Sequence, residues 1–361
     1  MNHQSVVVNA RFLTQPVTGT QRVGIELGMR LKNLLPDVTF LTPYNILQKD
    51  IANDMGATVY GRSKGYVWEQ IEMPLYLKSQ GSPLLLNLCN TAPIMYDNKI
   101  VTVLDLSFHL HPEWFTTKFS LLYNFTVPRI VKSAHKVLTI SEYSLNDLNR
   151  CYHVPRSALD IIYPSISDIF LYPPTTKGEN PYGKYVLAVS SLDPRKNFKG
   201  LIQAFQEAKL SDTKLVIVGA AHKVFADTGL KEMIQNDPSI IFTGYISDEQ
   251  LVNLYQHALF FAYPSFFEGF GIPPLEAMSC GCPTLVSDTT SLPEVCGDAS
   301  VYVDPYDIGS IRNGLIKLYS DESLRKTLIE KGRGRVERFS WQQSAEKLAG
   351  LITSLNSEKR R

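Results

Sequence analysis

The sequence predicts an α/β protein built from two open, parallel-sheet domains. Three observations lead there. The chain has 361 residues, more than one ordinary domain of roughly 100–200 residues holds. Short β-branched runs alternate with helical patterns from end to end, the mark of βα units. A cluster of Pro173, Pro174, Gly178, Pro181 and Gly183 interrupts that alternation at residues 171–183 and reads as a linker.

In the first half, strands are expected at 5–9, 84–87, 100–104 and 136–140. Helices are expected at 21–34, at 120–133 with a kink at Pro128, and at 144–151 with Ser144 as its N-cap. After the linker the alternation restarts, with strands at 185–190, 214–218, 240–242, 259–262, 284–286 and 300–303. The tail from Trp341 is an amphipathic helix with Ala345, Leu348, Leu351 and Ile352 on one face. The expected division is therefore 1–172, 182–340 and a terminal helix 341–361. In such sheets ligands bind outside the carboxyl ends of the strands, so two facing domains are expected to enclose a cleft.

Composition narrows the function classes. Hydrophobic residues make up 44% and charged residues 20%, as in a globular protein with a substantial core. The formal charge is +1, from 36 basic and 35 acidic residues, which gives no reason to expect nucleic acid as a partner. The opening residues lack the pattern of a signal peptide, and no apolar run approaches the roughly 18–20 residues needed to span a bilayer. Five scattered cysteines, Cys89, Cys151, Cys280, Cys282 and Cys296, read as buried thiols of a cytoplasmic protein. Cys280-Gly-Cys282 is not a zinc spacing, and no metal or cofactor is expected.

The most informative segment is Tyr263-Pro-Ser-Phe-Phe-Glu-Gly-Phe-Gly-Ile-Pro-Pro-Leu-Glu-Ala-Met278. Gly269 and Gly271 permit a ligand to approach the backbone closely. Pro273 and Pro274 suit the first turn of a helix, whose free N–H groups and positive dipole end accommodate phosphate. Glu276, early in that helix, can accept both hydroxyls of a ribose diol, and Glu268, before the turn, can reach the hydroxyls of a sugar. On the loop after the strand at 185–190, Arg195 and Lys196 suit a diphosphate, the first by a bidentate fork and the second as a compact charge. Either piece alone also fits a plain helix start or a solvated loop. Their joint occurrence on strand-end loops of one domain favours a binding site.

The pattern Pro194-Arg195-Lys196-Asn197, then Glu268-Gly-Phe-Gly-Ile-Pro-Pro-Leu-Glu276, then Ser291-Leu-Pro-Glu294 resembles the retaining glycosyltransferases of family 4, the glycosyl transferases group 1. The likeness is dense over most of 185–345, including Val303-Asp-Pro305 and Phe339-Ser-Trp341. It is thinner in the first half, at Gly19-Thr20, Trp68-Glu-Gln70, Asp105 and Ser141-Glu142-Tyr143. It implies the GT-B fold, two Rossmann-like domains facing each other across a cleft, with the terminal helix crossing back to the first. It implies that Arg195 and Lys196 hold the donor diphosphate, Glu276 the nucleotide ribose and Glu268 the donor sugar. Backbone amides at Phe270 and Gly271, beside Gly269, would help seat sugar and phosphate. The first domain would bind the acceptor.

In the first half, Gly19 and Thr20 follow the first strand and fit either a diphosphate contact or an ordinary βα turn. Ser141 fits a ligand contact or a helix cap. Many members of the family carry His-Asp where this chain has Leu104-Asp105, so the histidine's role is not carried over; His109 and His111 are near in sequence but differently spaced. Asp105 keeps the family position and, with Glu268, Lys196 and Arg195, completes the expected catalytic set.

By resemblance the reaction is retaining and metal-independent, with the leaving diphosphate deprotonating the acceptor and the protein supplying position and charge. The absence of any Asp-x-Asp agrees with cations replacing a metal. A hexose from a GDP- or UDP-linked sugar is the expected donor group, mannose from GDP-mannose first. The resemblance also implies, as the expected acceptor, a saccharide or lipid-linked saccharide of bacterial surface-polysaccharide assembly, such as O-antigen, and a cytoplasmic location with peripheral contact to the inner face of the cell membrane. The pattern at 118–136, apolar residues interleaved with Lys118, Arg129, Lys132 and Lys136, fits a lipid-touching surface helix or a buried one. A nucleotide-sugar epimerase and a non-catalytic nucleotide-sugar-binding subunit are the alternatives. Neither Gly-x-x-x-x-Gly-Lys-Ser/Thr nor Gly-x-Gly-x-x-Gly occurs, against a P-loop enzyme or a dinucleotide site.

Overall fold

A computed structural model describes residues 5–191, 193–219, 234 and 237–358. The chain divides into two compact units. One runs through Pro164 and resumes from Ser340; the other is Ser165–Phe339. The Pro- and Gly-rich run at 171–183 lies within the second.

The first unit carries a seven-stranded, wholly parallel sheet in the order β3-β2-β1-β4-β5-β6-β7. The strands are β1 (Val6–Asn9), β2 (Val38–Thr42), β3 (Thr58–Val59), β4 (Leu84–Asn87), β5 (Lys99–Thr102), β6 (Lys136–Thr139) and β7 (Leu159–Ile161). Four of these stand where the sequence places them, within two residues at each end. Their continuous apolar runs are what a parallel sheet covered on both faces demands. β2, β3 and β7 carry weaker signals: β3 has only two residues, both exposed, and β7 only three.

The second unit carries six parallel strands in the order β10-β9-β8-β11-β12-β13. They are β8 (Tyr185–Val189), β9 (Lys214–Val218), β10 (Ile240–Gly244), β11 (Phe260–Tyr263), β12 (Thr284–Ser287) and β13 (Ser300–Val303). All six match the expected strands to within two residues. One core packs Val186, Ala188, Leu215, Ile217, Phe260, Leu285 and Val303 against Leu201, Ile202 and Phe205 of one helix and Ile311 and Leu315 of another. Each Val, Leu, Ile or Phe among them, once buried, contributes about 1.5–3 kcal/mol. Gly314 lets the second helix sit close, since a Cβ there would stand 2.6 Å from Val303 Cγ1.

The tail forms the helix Trp341–Glu358 and packs on Gly19–Leu34 of the first unit. Ala345, Leu348 and Ile352 are buried and Leu351 half-buried, as their spacing predicts. Ser344 Oγ donates to Tyr163 O at 2.7 Å, and Lys347 Nζ to Ile161 O at 2.8 Å. The helix expected at 120–133 is Thr117–Lys132 and runs through Pro128.

Two expectations need correction. The helix expected from Ser144 begins at Glu142, because Ser141 is the cap: its Oγ accepts the Ser144 N–H at 3.1 Å. Of the five free thiols, Cys280, Cys282 and Cys296 are buried, but Cys89 and Cys151 are only half-buried, lying on loop and helix surfaces where strand periodicity gives no burial signal. Burial pushes the Cys280 and Cys296 thiols up to about 12.

Candidate functional site

Both sheets reverse their strand order at the middle, and such a reversal opens a crevice at the carboxyl ends of the two strands flanking it. In the second unit those strands are β8 and β11, which are paired directly. The loop after β8 contains Arg195 and Lys196; the loop after β11 contains Glu268, Gly269, Phe270 and Gly271. The two informative sequence segments therefore meet because their strands are neighbours.

After β8 the chain makes one 3₁₀ turn, Pro194–Lys196. Asp193 starts it: Oδ1 accepts the Arg195 N–H at 3.1 Å, while Oδ2 lies 3.3 Å from Arg195 Nε. Asn197 ends it with φ 55°, a left-handed conformation that asparagine tolerates. Its side chain ties three loops together. Oδ1 caps the next helix at Gly200 N (3.2 Å), and Nδ2 donates to Pro264 O (3.1 Å) after β11 and to Pro305 O (2.8 Å) after β13. Phe266 N donates to Arg195 O at 2.8 Å, a further stitch between the loops.

This fastening brings Lys196 Nζ to 2.6 Å from Glu268 Oε1 and 2.8 Å from Tyr263 Oη. Both charged side chains are only 8% exposed. Burial lowers the Lys196 ammonium from its ordinary value, and Arg195 adds to this, with Glu268 offsetting part of it. For Glu268, burial pushes upward but is outweighed by the charges of Lys196 and Arg195 and by hydrogen bonds from Lys196 and Tyr263, so its carboxyl is held below the usual range. Two of the three ammonium donors are committed to Glu268 and Tyr263 among the described residues, which leaves one for a ligand.

The loop after β11 is held from β12. Ser291 Oγ lies 2.9 Å from Glu268 O and 2.7 Å from Phe270 O, and Glu268 N donates to Thr290 Oγ1 at 3.2 Å. Gly271 has φ 112°, and a Cβ there would stand 2.6 Å from Leu292 Cδ2, so only glycine fits. The helix Ile272–Ser279 follows, with Pro273 and Pro274 in its first turn. Glu276 lies one turn in, and Tyr255 Oη donates to its Oε2 at 3.3 Å.

The expected residues of the first unit each have a local setting of their own. Gly19 begins the helix Gly19–Leu34, is exposed, and a Cβ there would meet open space. The Thr20 carbonyl accepts from the Cys89 thiol at 3.3 Å. Asp105 follows β5, and its Oδ1 accepts from Ser107 N (2.9 Å) and Ser107 Oγ (2.6 Å). Ser141 is fully buried as a helix cap. His109 Nδ1 pairs with Asn124 Oδ1 at 2.6 Å and His111 Nδ1 with Glu113 at 3.1 Å.

Asn197, Tyr263 and Tyr255 escaped the sequence reading as contributors. Asn197 is the one with a usable signal: an asparagine directly after two cations and before an apolar helix is a strong cap.

Residues 174–335 match the family model described as Glycosyl transferases group 1. The O-antigen chain mannosyltransferase B of Escherichia coli is 30% identical over 261 residues, which is 69% of this chain and 68% of that relative. The serotype-specific mannosyltransferase WbdA of the same organism is 34% identical over 184 residues, 49% of this chain but only 22% of that longer relative. Among solved structures, Anabaena Alr3699/HepE in complex with UDP-glucose superposes with a TM-score of 0.76 at 16% identity, over 98% of this chain and 100% of that one.

Proposed function

The chain belongs to the glycosyl transferases group 1 family and has its GT-B fold, and from that premise we propose that it transfers a hexose from a nucleotide-linked donor to a saccharide acceptor with retention at the anomeric carbon. The observation that carries the reading is the Lys196–Glu268 pair at the crevice between β8 and β11, with Arg195 beside it.

In this reading the donor diphosphate lies against the Arg195 fork and the remaining Lys196 N–H. Arg195 keeps 24% of its side chain exposed and is held beside Lys196 by Asp193. Glu276 accepts the ribose hydroxyls and Glu268 a hydroxyl of the donor sugar, helped by the backbone at Gly269, Phe270 and Gly271. The bond from the anomeric carbon to the diphosphate oxygen breaks and its electron pair leaves with the diphosphate. The acceptor oxygen bonds that carbon on the same face and gives its proton to the departing diphosphate. Cations fixed before the reaction stabilise the charge that develops there without reorganising. No metal is required. Asp105, Gly19, Thr20 and Ser141 are proposed contacts from the first unit.

Mannose from GDP-mannose is the preferred donor group; the named mannosyltransferase activities of the E. coli relatives support the sugar, and the UDP-glucose complex of the Anabaena protein keeps a UDP-linked donor as the competitor. A lipid-linked saccharide of surface-polysaccharide synthesis is the preferred acceptor. Leu121 and Phe125 are exposed on Thr117–Lys132, with the Arg129 guanidinium 3.7 Å from the Phe125 ring centroid, which suits shallow contact with an anionic lipid surface. No helix among the described residues is long and apolar enough to cross a membrane.

Incubation with radiolabelled GDP-mannose, and separately with UDP-glucose, tests the proposal, with and without oligosaccharide acceptors. Label appearing in a lengthened saccharide with retained configuration is the expected result. A changed donor epimer without acceptor, or binding with no product across the acceptor panel, overturns it.

A further inference from the structure

The first unit has its own reversal of strand order. β1 lies between β2 and β4, so the carboxyl ends of β1 and β4 flank the crevice in which such a sheet binds ligands. Their last residues, Asn9 and Asn87, are register partners, and Asn9 Nδ2 donates to Asn87 Oδ1 at 3.0 Å. The same nitrogen lies 3.1 Å from Glu69 Oε2. Glu69 is fully buried, and its Oε2 also accepts from Arg11 Nε (2.9 Å) and Thr91 Oγ1 (3.0 Å). Arg11 Nη2 closes the ring by donating to Thr91 Oγ1 at 2.7 Å.

Burying a carboxylate and a guanidinium costs desolvation, and an apolar pair of similar volume serves a core as well or better. This pair is also incompletely used. Arg11 keeps 13% of its side chain exposed, and among the described residues no acceptor meets its third nitrogen, Nη1. Glu69 and Thr91 fix the plane of the fork, so Nη1 is held in one direction before any ligand arrives. Glu69 cancels the net charge, which suits the group to neutral hydroxyls better than to a free anion. The guanidinium carbon stands 5.0 Å over the centre of the Tyr66 ring, a cation–π contact that further fixes the fork.

We infer that the carboxyl ends of β1 and β4 form a saccharide subsite in which Arg11 donates to hydroxyls of the acceptor sugar and Glu69, Asn9 and Thr91 position it. The inference rests on the transferase reading and names the acceptor contacts within it. Arg11 is the binding residue; the other three are positioning residues.

Saturation-transfer NMR on the full chain, with methyl α-D-mannopyranoside as saccharide probe and GDP and UDP as separate nucleotide probes, tests it without requiring turnover. Three proteins are compared: wild type, Arg11→Lys, and the double variant Arg11→Met with Glu69→Gln, which removes both charges together and so leaves neither one buried alone. The expected result is saccharide affinity at least tenfold weaker in both variants, with nucleotide binding unchanged and the double variant's melting temperature near that of wild type. Saccharide binding that is absent from wild type, or equal in all three folded proteins, overturns the inference. Loss of GDP and UDP binding in wild type is a different failure, that of the donor reading.

Discussion

Lys196 Nζ stands 2.6 Å from Glu268 Oε1, so a cation expected on the donor diphosphate and a carboxylate expected on the donor sugar are partners of each other. Lys196→Ala therefore cannot be a silent change to the fold. It leaves a buried carboxylate without its counter-ion, which costs about 3–5 kcal/mol. Replacing both, Lys196→Met with Glu268→Gln, is expected to recover most of that stability while transfer stays at least about 100-fold down, the scale on which one lost electrostatic contact acts. Thermal melts and initial rates on the three proteins check this. Recovery of transfer in the double variant would count against the site.

Tyr255 reaches Glu276 Oε2 at 3.3 Å from a neighbouring helix. Tyr255→Phe is expected to cost about 1 kcal/mol of stability, a typical net hydrogen bond. It should also weaken nucleotide binding up to about tenfold by loosening Glu276, whereas Glu276→Ala should weaken it further. Calorimetric titration with GDP and UDP measures both. Equal affinity in wild type and Glu276→Ala would remove Glu276 from the ribose.

Gly271 combines a left-handed φ with a wall formed by Leu292. Gly271→Ala should destabilise through backbone strain of roughly 1–2 kcal/mol and overpacking of roughly 1–3 kcal/mol. Adding Leu292→Ala relieves only the second part. Denaturant unfolding of the single and double variants separates the two.

Lys99 is a pH probe away from the proposed chemistry. It is fully buried, its Nζ donates to Pro93 O at 2.8 Å, and burial lowers it to about 8, with Asp97 opposing. Below pH 8 both folded and unfolded chains carry this proton. Between about 8 and the ordinary lysine value near 10.4, the unfolded chain holds more protons, so this group makes stability rise with pH. The gain is on the order of 3 kcal/mol. Lys99→Met should be more stable than wild type at neutral pH and should lose that rise. Urea midpoints from pH 7 to 10.5, compared between the two proteins, give the difference.

Much of this was legible from residue order alone. All six strands of the second unit are short apolar runs bounded by turn residues, and the glycines and prolines around Glu268 mark a strand-to-helix turn directly. What local pattern does not carry is pairing between distant segments. Nothing near Lys196 announces Glu268 or Tyr263 as its neighbours; that follows only from β8 lying beside β11. Trp68-Glu-Gln70 was visible as a motif, but Glu69 acquires a partner only when β1 and β4 bring Asn9, Arg11 and Thr91 to it. β3, with two exposed residues, has no alternation to read.

The helix Trp341–Glu358 supplies Ala345, Leu348 and Ile352 to a unit that begins with β1. Chains emerge from the ribosome at roughly 5–20 residues per second and fold unit by unit. Ser165–Phe339 is thus contiguous and can close as soon as it is made, whereas Gly19–Leu34 must wait for a helix synthesised after it. The unit translated first is sealed last, and until then the face of Gly19–Leu34 that the last helix covers stays open.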